Sequence, residues 1–234
     1  MADLATTTIA CAARRCFGLV SRRERWGLTG RAWCLAALVV AVAVASGIRL
    51  VHPFLAVTAP VATSTVAVEA WMPAEVLKGV AERFESDAGA HFFCVGGPTD
   101  EHFDSTRLED TSAVEAVQLL QRFGVGGERL TAVPVWVPRR DRTYASAVAL
   151  RDWLRENNIP LTALNVVTEG LHARRSRLLF ERAFGDSVAI GVIAIPDPTY
   201  DARQWWRYSE GVKSVISESA GYLYVRFLFR PDPR

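Results

Sequence analysis

The chain has 234 residues, half of them hydrophobic, and a formal net charge of +2. Residues 1–51 hold seven Arg and two acidic residues, which leaves 20 basic and 23 acidic residues in 52–234. A nucleic-acid-binding domain is usually strongly basic, so the slightly acidic main part of the chain argues against a nucleic-acid partner. Of the four cysteines only Cys94 follows residue 51, so we expect neither a disulfide nor a Cys/His metal site there.

The N-terminal part of the chain has the pattern of a membrane anchor. Residues 1–31 are rich in Arg, and an almost wholly apolar, uncharged run of 17 residues follows over 32–48. This run is at the short end for a membrane-spanning helix, and it reaches residue 51 if Arg49 turns its charge back to the membrane surface. Six Arg precede the run, so the positive-inside rule predicts a cytoplasmic tail over 1–31, an anchor over 32–51 and an extracytoplasmic remainder.

A cleaved signal peptide is the alternative to an anchor. The residues Ala43-Val44-Ala45 resemble a signal-peptidase site. The long segment before the apolar run favours an uncleaved anchor. Residues 52–64 contain two prolines and many small residues, which predicts a linker between the membrane and a domain over 65–234.

The domain over 65–234 alternates predicted strands with predicted helices. Strands are expected at 65–69, 92–95, 130–137, 164–168 and 188–195, and helices at 74–84, 111–123, 139–157, from 171 onward and at 201–229. Pro134 interrupts the third strand and predicts an irregular or edge position for it. The alternation predicts a Rossmann-like α/β fold, with an open, mostly parallel sheet and helices on both faces. Ligands of such folds bind outside the carboxyl ends of the strands.

The most informative stretch runs from 164 to 180, where a buried strand, a tight turn at Gly170 and a basic helix start follow one another. His172 and Arg175 are three residues apart and share one face of the first helical turn. Arg174, Arg175 and Arg177 lie where the helix dipole disfavours positive charge, so an anionic ligand would explain them. The alternative is that these Arg side chains are solvated or pair with nearby carboxylates.

Other candidate residues also follow predicted strands. The pair Gly96-Gly97 either lets a ligand approach the backbone or makes a turn. Thr143, beside Arg139, Arg140 and Arg142, either caps a helix or points its hydroxyl at a phosphate. Glu69 ends the first strand, where it either orients His172 or Arg175 or accepts a ligand hydroxyl. His172 itself is a general base or a structural histidine.

Three segments together resemble the YdcF/SanA/ElyC-like family of bacterial proteins, also called the domain of unknown function 218 family. They are Val95-Gly96-Gly97, residues 143–147, and residues 166–175, in which a strand ending in Val-Thr precedes His-x-x-Arg. His172 and Arg175 occupy the two polar positions of that motif. The resemblance also implies that Glu218 matches an acidic position in the last helix, and that Ser146 stands where the family usually has Asn. The family usually has Gly-rich sequence after the first strand, where this chain has residues 69–73.

The resemblance implies a Rossmann-like fold, membrane anchoring and a link to the bacterial cell envelope and peptidoglycan, with nucleotide-type ligands suggested for some members. We therefore expect a protein of the inner (plasma) membrane whose extracytoplasmic domain binds an anionic small molecule or a phosphate- or sugar-linked ligand. The alternatives are a non-catalytic interaction module and a phosphate- or glycan-directed hydrolase or transferase. No cofactor, metal or protein partner is identified. The candidate catalytic residues are His172 and Glu69, and the candidate ligand-binding residues are Gly96, Gly97, Arg142, Thr143, Ser146, Thr168, Arg174 and Arg175.

Overall fold

The computed structural model of the protein describes residues 29–99, 107–136 and 141–231. The chain divides into two compact units between Val44 and Ala45. Helix α1 (Gly30–Leu55) is, among the described helices, the one long and apolar enough to cross a membrane, with a mean hydropathy of 2.4 over its most apolar stretch. It continues into the predicted linker because His52 and Leu55 are buried in the second unit.

The second unit is built on a five-stranded sheet in which all strands run parallel. The strand order is β3-β2-β1-β4-β5, which confirms the predicted Rossmann-like α/β fold. The strands are nearly continuous apolar runs because both faces of the sheet are covered. Their bounds are Thr65–Glu69 for β1, His91–Gly96 for β2, Leu130–Pro134 for β3, Ala163–Glu169 for β4 and Ala189–Ile195 for β5.

Helices pack on both faces of the sheet. Along β1, Val66 and Val68 contribute to the core under α2 and α3, and Ala67 points to the core under α4 and α5, as the alternation of side chains along a strand requires. The last helix, α6, packs on α5. The helix bounds are Ala74–Arg83 for α2, Ser112–Arg122 for α3, Arg142–Glu156 for α4, Ala173–Phe184 for α5 and Ser209–Phe227 for α6.

The edge position predicted for the third strand is confirmed, and a glycine ends α3. β3 is an edge strand that pairs only with β2, so Pro134 at its end leaves the centre of the sheet intact. Gly124 follows α3 with a φ of +95°, the conformation that favours Gly just after a helix.

Residues 56–64 lie against the β5 edge of the sheet. Ala59 forms an antiparallel bridge with Val192. The side chain of Asn165 accepts a hydrogen bond from the Val61 N–H at 2.8 Å and donates one to the Val61 carbonyl at 2.9 Å. The predicted linker is therefore held to the domain by its backbone groups.

The chain order places a topological switch point between β1 and β4. From β1 the strands proceed to one edge through β2 and β3, and then return to β4 on the other side of β1. Helices that follow β1 and β4 leave on opposite faces of the sheet, which opens a crevice at the carboxyl ends of these two strands.

Candidate functional site

The turn that follows β4 presents the principal polar residues of the site. The strand ends at Glu169, and a 3₁₀ turn over Gly170–His172 leads into α5. Gly170 has a φ of +24°, outside the range that other residues adopt easily, so a glycine allows this tight change of direction. The turn places His172 and Arg175 on one face, as their spacing predicts.

His172, Arg175 and Glu218 form one hydrogen-bonded cluster. Glu218, on α6, accepts hydrogen bonds from Arg175 Nε at 2.8 Å and Nη2 at 3.0 Å, a fork-like pair. Nδ1 of His172 lies 3.1 Å from Oε1 of the same carboxylate, the oxygen that also accepts from Arg175 Nη2. The side chains of His172, Arg175 and Glu218 are only 14%, 21% and 15% exposed, so solvent screens these contacts weakly.

The contacts of the cluster define a tautomer of His172. Nη2 of Arg175 lies 2.9 Å from Nδ1 and 3.1 Å from Nε2 of the ring. A ring nitrogen that donates to Glu218 cannot also accept from Arg175. The arrangement that satisfies both neighbours has Nδ1–H donating to Glu218 and Nε2 facing Arg175.

The cluster also holds Glu218 in its ionised form. Burial by itself would raise the pKa of this carboxyl. The hydrogen bonds from His172 and Arg175, together with the positive charge of Arg175, outweigh burial and bring the pKa of Glu218 down to about 2. Glu218 is therefore an ionised acceptor of hydrogen bonds from His172 and Arg175, and it is not a proton donor at neutral pH.

The cluster borders a cleft of about 700 Å³. Its apolar lining residues include Met72, Leu77, Leu119, Leu179 and Val225. Trp71 and Tyr224, which are 40% and 46% exposed, add aromatic faces. The polar and charged lining residues are Thr99, Ser112, Glu115, Asp141, Arg142, Thr143, His172 and Arg175.

A smaller cavity of about 250 Å³ shares Trp71 and His172 with the cleft. The two rings meet edge to face at 4.8 Å. Glu169, Asp197 and Lys213 also line this cavity. Burial, together with the charges of Asp197 and Glu218, raises the pKa of Glu169 against the opposing effect of His172.

Four of the predicted site residues meet at the cleft. His172 and Arg175 come from the start of α5, and Arg142 and Thr143 from the start of α4. Thr143 is not the N-cap that one interpretation made it, because α4 begins one residue earlier and Asp141 occupies the cap position with a φ of 55°.

Glu69 is placed differently from the prediction. Its carboxylate is 3% exposed and accepts a hydrogen bond from Ser176 Oγ at 2.6 Å. The prediction that Glu69 orients His172 or Arg175 is therefore wrong, because Glu218 holds that position. Thr168 is fully buried in β4, away from the cleft lining, and its Oγ1 forms no hydrogen bond with any residue that the structure describes.

Gly96 and Gly97 allow the start of α3 to pack closely against the end of β2. A Cβ at Gly96 would lie 2.1 Å from Ser112 Oγ and 3.2 Å from the backbone nitrogen of Ala113. The Gly97 carbonyl accepts the Ser112 N–H at 2.8 Å and the Ser112 hydroxyl at 3.1 Å. The start of α3 therefore occupies the space beside Gly96 and Gly97, and neither glycine lines the cleft.

Arg174 and Ser146 also lie outside the cleft lining. Successive helical residues point about 100° apart, so Arg174 turns away from its neighbour Arg175. It donates a hydrogen bond to the Phe54 carbonyl and lies 4.0 Å from the centre of the Phe54 ring. Ser146 is half-buried one turn further along α4.

Several residues of the cleft carry no local signal in the sequence. Tyr224 and Val225 reach it from α6, which packs on α5. Glu218 was indicated only by the family resemblance. Arg139 and Arg140, the predicted neighbours of Thr143, lie outside the described residues.

Within residues 29–99, 107–136 and 141–231, no group of three or more His, Cys, Asp or Glu side chains could hold a metal ion. His91 lies at the start of β2, where its ring Nε2 forms a hydrogen bond of 2.9 Å with Thr131 Oγ1. His172 lies at the opposite end of the sheet, after the carboxyl end of β4. No protein-family model matches the chain, and no curated protein or solved structure matches it either.

Proposed function

We propose that the protein is a membrane-anchored, extracytoplasmic α/β domain of the YdcF/SanA/ElyC type that binds an anionic, phosphate- or sugar-linked ligand in cell-envelope biogenesis or maintenance. The single observation that carries this proposal is the cleft at the switch point, where Arg175 and the start of α4 border the same space. In open parallel sheets this is the position where ligands bind.

The donors at the cleft suit an anion. The fork of Nε and Nη2 of Arg175 is held by Glu218, and Nη1 forms no hydrogen bond with the described residues. Arg142 and Thr143 stand at the N-terminal end of a 15-residue helix, where backbone N–H groups and the helix dipole favour negative charge. Because Glu115 and Asp141 also line the cleft, the preference for an anion comes from the placement of these donors and not from net charge.

The remaining lining suits a ligand with a larger, less polar part. Trp71 and Tyr224 offer ring faces of the kind that stack on sugars and bases. The apolar residues of the cleft lining add surface against which a non-polar part of the ligand can pack. A cleft of about 700 Å³ is within the usual range for small-molecule sites.

A phosphate- or glycan-directed hydrolase or transferase is the second candidate. The observation in its favour is the His172–Glu218 contact of 3.1 Å, since a carboxylate that orients an imidazole is a common arrangement for acid/base catalysis. In this version Arg175 stabilises developing negative charge. Proton transfer at His172 Nε2 then requires that Arg175 Nη2 turn from the ring to the substrate.

Anion binding is tested on the full-length chain in detergent by calorimetry with inorganic pyrophosphate and with a nucleoside diphosphate. Replacing Arg175 by Ala or by Lys removes Nη1, the group left to bind a ligand, and we expect the affinity to fall about tenfold or more. Arg177→Ala is the matched control, because Arg177 lies two residues along α5 and pairs with Glu181 outside the cleft. Equal affinities of the Arg175 and Arg177 variants, or no binding by the unaltered chain, would overturn the proposal.

Orientation in the membrane is tested separately. A fusion of alkaline phosphatase to the C-terminus is active only outside the cytoplasm, so we expect activity. An inactive fusion that is nevertheless produced would contradict the extracytoplasmic assignment.

To separate the two candidate functions, His172→Gln is compared with the unaltered chain for ligand affinity and for cellular function. Retention of both would exclude the acid/base role.

A further inference from the structure

The short segment Ala202–Arg207 and the adjacent Tyr208 form an exposed surface of aromatic and basic side chains, here called the aromatic-basic segment. Trp206 and Tyr208 are 39% and 41% exposed. Arg203 and Arg207 are exposed as well, and neither side chain forms a hydrogen bond or an ion pair with a described residue. Large aromatic side chains with unpaired Arg on one surface point to a partner that offers both apolar and anionic groups.

The aromatic-basic segment is attached to the end of the apolar run of the chain. Trp205 is buried, and its indole Nε1–H donates to the Ile48 carbonyl at 3.0 Å. Ile48 is the last residue of the uncharged run, and Arg49 follows it. Trp206 adjoins Trp205, with ring centres 5.9 Å apart. The exposed aromatic residue is therefore tied to the residue that marks the boundary of the apolar run.

The attachment has further points of contact within residues 45–234. His52 bonds the Tyr200 hydroxyl at 3.2 Å. Phe54 and Tyr222 meet edge to face at 5.4 Å. Leu55 is 1% exposed and packs with Trp205 and Val215. The segment therefore keeps a defined distance from residue 48 and does not move independently of it.

We infer that the aromatic-basic segment is a second membrane contact, which inserts Trp206 and Tyr208 at the level of the lipid headgroups and places Arg203 and Arg207 on anionic lipid phosphates. Trp and Tyr concentrate at this level of a bilayer, and Arg side chains near an anionic surface are attracted to it. The inference rests on the proposed anchoring of residues 32–51, because that anchoring brings Ile48 to the membrane boundary.

The test uses the full-length chain in vesicles of phosphatidylcholine, alone or mixed with phosphatidylglycerol. Cys11, Cys16 and Cys34 are replaced by Ser, and Cys94 is retained because it is buried and burial raises the pKa of its thiol to about 12. Tyr208→Cys then carries an environment-sensitive fluorophore. The matched control is Asp186→Cys, an exposed position just before β5, at the opposite end of that strand from the aromatic-basic segment.

We expect the label at 208 to emit at shorter wavelength and to be quenched by lipids that carry a headgroup-level quencher. The label at 186 should report water in both vesicle types. Arg207→Gln should reduce the quenching at 208 in phosphatidylglycerol vesicles, and Arg155→Gln, an exposed residue at the end of α4, should not.

Two failures are distinguishable. If the chain does not float with vesicles and is extracted by alkaline carbonate, the proposed anchoring fails. If the chain floats and resists extraction but the labels at 208 and 186 behave alike, the second membrane contact is excluded and the anchoring stands.

Discussion

Glu218 accepts hydrogen bonds from both Nε and Nη2 of Arg175, and this pair of bonds joins the last helix to the start of α5. The two residues are 43 positions apart in the chain. Gly221, one turn along α6, leaves room for the guanidinium, since a Cβ there would lie 3.1 Å from Arg175 Nε. The ion pair therefore holds α6 against the start of α5, next to His172.

Removal of Arg175 should destabilise the protein. In Arg175→Ala, Glu218 keeps only the His172 contact although its side chain is 15% exposed, and an incompletely paired, mostly buried carboxylate costs about 2–3 kcal/mol after allowance for partial exposure. Denaturant unfolding of the full-length chain in detergent measures the change. A double-mutant cycle with Glu218→Gln should show a favourable coupling energy of at least about 1 kcal/mol. Additive effects of the two changes would show that the pair does not stabilise the fold.

The contribution of Glu218 to the free energy of unfolding should decrease as the pH falls. Its pKa is about 2 in the folded protein, below the ordinary Glu value of 4.5, so the ionised form favours folding and this contribution is complete above pH 4.5. It should disappear as the pH falls from 4.5 to 2. The total is about 3 kcal/mol, from about 1.4 kcal/mol per pH unit.

The measurement is the free energy of unfolding of the unaltered chain and of Glu218→Gln across this pH range. The difference between the two proteins should be largest above pH 4.5 and should close toward pH 2. A difference that stays constant with pH would contradict the lowered pKa of Glu218.

Glu169 should show the opposite behaviour. Burial and the nearby Asp197 raise its pKa above the unfolded value, so folding becomes less favourable as the pH rises through the folded pKa. Glu169→Gln should therefore raise the melting temperature at neutral pH and should give no gain below about pH 4. Glu82→Gln, an exposed change on α2, serves as the control. Destabilisation by Glu169→Gln at neutral pH would show that the charge is needed.

The role of Gly96 in packing predicts a rescue. Gly96→Ala places a methyl group 2.1 Å from Ser112 Oγ, so we expect a loss of about 2 kcal/mol in the free energy of unfolding. Ser112→Ala removes that oxygen and loses its hydrogen bond to Gly97, which costs about 1 kcal/mol. The double variant should be more stable than the sum of the two losses predicts. If Gly96 instead served a ligand, Gly96→Ala would leave stability unchanged and weaken pyrophosphate binding.

Much of the fold was predictable from local patterns. The apolar, β-branched runs at 65–69 and 164–168 have the length and composition of strands buried on both faces, and the structure has β1 and β4 there. The spacing of His172 and Arg175 predicted a shared helical face, which the cluster confirms. Such predictions succeed because they depend on residues only a few positions apart.

The choice of partners was not predictable in the same way. Both Glu69 and Glu218 are carboxylates on elements next to α5, yet Glu69 bonds Ser176 and Glu218 bonds Arg175. Arg174 and Arg175 are adjacent in sequence, but one contacts Phe54 and the other borders the cleft. Small differences in helix rotation and packing distance decide these pairings.

The sequence by itself determined the order of strands and helices, the parallel sheet that their alternation requires, and an apolar helix over 32–51, because each depends on hydrophobic periodicity and local backbone preference. Only the tertiary structure decided that Glu218 completes the cluster at His172 and Arg175, that Gly96 serves α3, and that Trp205 is tied to Ile48. Hydrogen bonds require an approach to within about 3 Å, and for residues far apart in the chain that approach is set by how whole elements pack.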